Sequence, residues 1–156
     1  MVTLNYTLRT VTHGFIDDRR IERSADRAKQ RAQRRPAAWI RVAARRSIRK
    51  RKGYSKPGQP PSSHHGALKG GIFYVWDRTT KSTVVGPVRM GSRRGSGQVP
   101  ELLEKGGTIR QVVRRKGRPT RRYSAHYEPR PYMAPALAKA RQQGVISRGW
   151  KDAMLR

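Results

Sequence analysis

The sequence predicts an α+β fold: an antiparallel sheet of about four to five short strands packed against a long N-terminal helix, kinked or broken near Pro36, and a C-terminal helix. Three observations predict it. Residues 2–11 alternate apolar and polar, a run rich in alanine, arginine and glutamine follows from Asp17, and two later stretches each pair short β-branched and aromatic runs across a polar turn. No internal repeat or domain boundary divides the 156 residues, so one domain over 1–156 is expected. Folding at that length hides roughly 70% of the unfolded surface, enough for one core.

The elements follow in order. Val2, Leu4, Tyr6 and Leu8 point one way and Thr3, Asn5, Thr7 and Arg9 the other, the period of a half-buried strand. Asp17 and Asp18 stand where a helix N-terminus favours negative charge, and the helical composition runs to Lys52. Pro36 either bends that helix or opens a second one. Beyond it Trp39 and Ile40, Ala43 and Ala44, and Ser47 and Ile48 recur every four residues, a stripe suited to packing on a sheet. Gly53 suits the helix end and opens a proline-rich elbow over 53–66, in which Pro57, Pro60 and Pro61 fix three backbone angles and remove three amide donors.

GGIFYVWD and STVVGPV, joined by RTTK, read as a hairpin, with Ile72, Tyr74 and Trp76 on one face, Phe73 and Val75 on the other, and cover expected on both. Residues 90–98, containing GSRRGSG, have loop composition. PELLEKGG reads as one helical turn ending on glycine, and TIRQVVRRKGRPTRRYSAHY as a second hairpin turning at KGRP. YMAPALAKARQQG is helical, with Pro135 tolerated in its first turn, and 144–156 is a C-terminal tail of little organisation. The loop, the chain ends and the elbow are expected to order only on assembly.

Lysine and arginine total 37 against 9 acidic residues, a formal charge of +28. Such an excess raises the energy of the compact state by self-repulsion, so a polyanion or an acidic protein partner is expected. No apolar run approaches the roughly 20 residues that span a bilayer, and no membrane partner is expected. Cysteine is absent. His64 and His65 lack the further ligands a metal needs, GSRRGSG lacks the lysine and helix of a phosphate loop, and Glu101 and Glu104 have neither histidine nor nucleophile beside them. The expectation is a non-enzyme with no catalytic residue, metal or cofactor.

The positive signal is three basic clusters. Arg31, Arg34, Arg35, Arg41, Arg45, Arg46, Arg49, Lys50, Arg51 and Lys52 lie on the helical segment, the last six closing it, Arg93 and Arg94 lie on the loop, and Arg114, Arg115, Lys116, Arg118, Arg121 and Arg122 lie on the second hairpin. Those closing six and the third cluster supply the candidate phosphate-facing residues. Spread over several faces and without a base-reading motif, they suit phosphate contact without sequence readout.

Three ordered fragments carry a resemblance: SKPGQPPSSHHGALKGGI, VPELLEKGGT and PRPYMAPALAK. Together they resemble the tail-completion or head-tail joining proteins of long-tailed bacteriophages, the small neck components often called minor tail components. The matching positions are Pro57, Gly58, Pro60, Pro61, Gly66 and Leu68, then Leu103, Glu104 and Gly106, then Pro131, Tyr132, Pro135, Ala136 and Leu137. They span about half the chain; Lys105 and the arginine density depart from the pattern.

The resemblance implies a structural virion protein that assembles as a homo-oligomeric, hexameric ring at the head-tail interface and is made in the host cytoplasm. Its implied partners are the head connector or stopper protein, the tail terminator or tail tube protein, and genomic DNA held nonspecifically in the axial channel. Candidate contacts between subunits are Pro57, Gly58, Pro60, Pro61, His65, Leu103, Glu104, Pro131 and Tyr132. The alternative is a free-standing, sequence-nonspecific nucleic-acid-binding protein of ribosomal or nucleoid type.

Overall fold

The computed structural model describes residues 18–90, 99–113 and 120–154. Its spine is α1, Asp18–Ser47, a single helix that runs through Pro36 without breaking. A short helix α2 (Ala67–Gly70), a hairpin of β1 (Ile72–Asp77) and β2 (Ser82–Pro87), and a helix α3 (Val99–Lys105) follow. The chain continues as a second hairpin, β3 (Gly107–Val113) and β4 (Arg121–Tyr127), and ends in helices α4 (Met133–Gln142) and α5 (Val145–Met154).

The apolar stripe read from the sequence forms the core. Ile40, Ala44 and Ile48 pack with Ile72 of β1, Tyr132, and Ala136 and Ala140 of α4, while Leu68, Val85, Leu103 and Val145 close around them. β1, β2, α4 and α5 all pack on α1.

Several expectations are corrected. In place of one sheet of four to five strands, the described residues hold two separate two-stranded antiparallel sheets. In the first, α1 takes one outward group on each edge: Gln33 accepts the amide of Thr83 on the β2 edge (2.7 Å), and Arg41 Nε donates to the carbonyl of Ile72 on the β1 edge (2.8 Å). The second leaves the body at Gly106 and Gly107, whose φ of 74° and 137° turn the chain away. The expected strand over 2–11, the GSRRGSG loop and the KGRP turn lie outside the described residues.

α1 ends at Ser47, well before Gly53. The elbow causes this: Arg49 bridges to Ser62, the Ser63 amide donates to the Arg49 carbonyl (3.1 Å), and Ile48 turns into the core, fully buried. The expected tail is instead mostly helix, with Val145, Ile146, Gly149, Trp150 and Ala153 at least half-buried along one stripe. Gly149 is the reason it packs. Pro36 lacks the amide that would bond the Ala32 carbonyl, and a Cβ on Gly149 would lie 2.5 Å from that oxygen and 2.7 Å from Pro36 Cγ. Only a glycine lets α5 settle onto this notch. Cover on both faces of β1 is also corrected: Ile72 is buried, whereas Phe73 and Val75 are exposed beside Val84 and Val88.

Candidate functional site

The three fragments that carry the resemblance converge on one joint. Gly58 of the elbow donates its amide to the Pro129 carbonyl (2.8 Å), Arg130 Nε donates to the Ser55 carbonyl (3.1 Å), and the Arg130 amide donates to the carbonyl of Leu103 in α3 (2.7 Å). Glu104 completes it. Its carboxylate accepts the amides of Tyr132 (2.9 Å), Met133 (3.1 Å) and Ala134 (2.8 Å), the free donors at the start of α4. A negative group there also meets the positive end of the helix dipole. Gly106, with φ 74°, closes against the Tyr127 carbonyl and Pro129, where a Cβ would lie 2.9–3.0 Å from three atoms.

This joint redefines the candidate contact residues. Tyr132 is 1% exposed, and burial together with the Glu104 charge holds its phenol well above the ordinary range. It is a core residue and cannot present its side chain to a neighbour. Pro61 is buried, Pro60, Leu103, Glu104 and Pro131 are half-buried, and Pro57, Gly58 and His65 remain exposed. The elbow is hydrogen-bonded to the body within the single chain. Glu101, by contrast, faces Lys105 (2.9 Å), which holds its carboxyl below the usual range. Glu101 and Glu104 therefore serve different partners rather than acting as a pair.

From this joint rises the β3–β4 ribbon, whose two strands, among the described residues, pack chiefly on each other. Seven residues of strand span about 20 Å. The register places Thr108, Arg110, Val112, Arg122, Ser124 and His126 on one face, and Ile109, Tyr123, Ala125 and Tyr127 on the other. Arg110 and Arg122 share a face, and both are exposed. From 107 to 127 the sequence holds seven cationic residues and no acid. Arg114, Arg115, Lys116 and Arg118 lie outside the described residues, and Arg121 is placed by its backbone opposite Val113.

The other cluster lies where α1 ends. Arg46, Arg49, Lys50, Arg51 and Lys52 are exposed, and Arg45 is half-buried. Arg51 reaches Gln59 of the elbow at 3.4 Å. Ion pairs among the described residues draw on other cations: Arg35 with Asp152, Lys81 with Glu22 and Asp26, Lys105 with Glu101, and the His126–Glu128 contact. Neither the 45–52 cluster nor the ribbon arginines are neutralised by them.

Sequence reading missed a groove beside β1. It has a volume of about 500 Å³ and is lined by Gln30, Arg31 and Arg34 of α1, Tyr74, Val75 and Trp76 of β1, and Thr83 of β2. The spacing of Arg34 and Arg41, two helical turns apart, would have placed both on one side of α1, but nothing in the sequence says which edge of the sheet that side follows. Among the described residues no cluster of three metal-ligating side chains occurs, and no helix is long and apolar enough to cross a membrane. Comparison with protein families, curated protein sequences and solved structures returns no match.

Proposed function

We propose that the chain is a structural subunit of a bacteriophage neck, forming a ring that joins the head connector to the tail tube and lets DNA pass along its axis. The convergence of the three resembling fragments on one hydrogen-bonded joint carries this reading, because scattered chance similarities have no reason to meet in space. Two further features support it. Among the described residues each sheet has two strands, a size that is marginal alone and that packing against a neighbouring subunit would support. Arg110, Arg122 and the cations of 45–52, which have no ion pair among the described residues, suit loose contact with phosphate, which must not hold DNA that has to slide.

Virions made without this protein test the reading: filled heads and finished tails that stay unjoined are expected, and fully joined, infectious particles would overturn it. The alternative, a free-standing nucleic-acid-binding protein, draws on the same exposed cations. Light scattering on the purified protein with candidate neck partners separates the two, since a persistent monomer that binds DNA tightly favours the alternative.

A further inference from the structure

The groove beside β1 is bordered by an unfinished sheet edge. In the β1–β2 ladder, the bond from the Val88 amide to the Gly71 carbonyl and the Thr83 amide turned toward Gln33 fix the pattern. Gly71, Phe73 and Val75 face the partner strand, while Ile72, Tyr74 and Trp76 turn their amides and carbonyls outward. Arg41 occupies the carbonyl of Ile72. The next outward groups, on Tyr74 and Trp76, have no backbone partner among the described residues and border the groove. Across it stand Arg31 and Arg34, exposed and without an ion pair among the described residues.

We infer that this edge takes an extended, acidic segment of a different protein as a third strand. Backbone pairing to Tyr74 and Trp76 supplies the register, and alternate carboxylates of the segment meet Arg31 and Arg34. Its apolar side chains extend the exposed row of Phe73, Val75 and Val84. Charge complementarity selects this occupant. The alternating run of this chain itself, residues 2–11, carries no carboxylate to meet the two guanidinium groups. Single-stranded nucleic acid would need open ring faces for stacking, and Tyr74 and Trp76 are half-buried. The inference goes beyond the neck reading and stands apart from it: an edge that fails to bind leaves the result with particles lacking the protein unchanged.

The test is NMR titration of the full chain with the capped peptide Glu-Val-Glu-Val-Glu-Val, the same peptide N-methylated at every residue, its Lys-Val counterpart, and oligothymidine. The acidic peptide is expected to shift the Tyr74 and Trp76 amides. N-methylation is expected to abolish binding, and R31E/R34E, two surface changes that leave the core intact, to weaken it about tenfold or more. The inference is overturned if the N-methylated or lysine peptide binds equally well, if the double variant binds as before, or if the two amides do not move. It is also overturned if oligothymidine moves them while the acidic peptide does not.

Discussion

Replacing Glu104 by alanine removes one side chain and strands three amides. The Ala134 amide is exposed and turns to water, whereas those of Tyr132 and Met133 are partly buried and lose acceptors at 2.9 and 3.1 Å. Loss of a helix cap costs about 0.5–2 kcal/mol, and each buried donor left unsatisfied costs about 1–3 kcal/mol. Partial access of water places the expected loss at about 2–4 kcal/mol. At roughly 2–4 °C per kcal/mol for a chain of this size, the melting temperature falls by about 5–15 °C. Glu104→Gln keeps one acceptor oxygen and is expected to lose about half as much. Urea denaturation of the three proteins, with unchanged m-values, is the assay. A Glu104→Ala protein within about 0.5 kcal/mol of the parent refutes the capping argument. Should such a protein also fail to join heads to tails, Glu104 would belong to a contact between subunits after all.

Gly149→Ala gains about 1 kcal/mol in helix propensity but forces a methyl against the Ala32 carbonyl and Pro36, at about 1–3 kcal/mol, so calorimetry is expected to show net destabilisation; a higher melting temperature would refute the notch. Asp77 accepts the Thr80 hydroxyl (2.7 Å) and the Thr79 amide (2.9 Å), which hold its carboxyl below the ordinary range. Its contribution is therefore full above the unfolded-state value and lost as pH falls through the folded one, and Asp77→Asn should flatten the acid limb of a stability-versus-pH curve. Lys81 runs the other way, since Glu22 and Asp26 raise its pKa: Lys81→Ala should destabilise below the ordinary lysine value and converge on the parent as pH rises through the raised one. On the ribbon, Arg110→Ala and Arg122→Ala should each lower the salt dependence of DNA binding by about one phosphate's worth, equally for unrelated sequences; an unchanged slope places the DNA elsewhere.

Both hairpins, α1, α3 and α4 were legible because each rests on a local signal: alternation, a stripe every four residues, or a glycine stop. What was illegible depends on contacts distant in sequence. Ser62 and Ser63 decide where α1 ends, since by composition the helix could have continued to Lys52. Gly149, which lowers helical propensity when read alone, is what allows α5 to pack. Gln33 and Arg41 each take one outward group of the first hairpin, contacts that no local signal announces. The contact candidates Pro61 and Tyr132 were drawn from a resemblance, and a shared residue does not reveal whether it serves the interior or a neighbour. Tyr132 serves the interior.

The notch formed by Pro36 and Gly149 also acts as an axial key. Sliding α5 by one turn, about 5.4 Å, would bring Val145 or Ala153 to the Ala32 carbonyl, and each carries the Cβ that the site excludes. The C-terminal helix is therefore indexed to a single height on the spine. Whatever joins this surface meets α5 and the first hairpin at a fixed offset, set by one proline and one glycine.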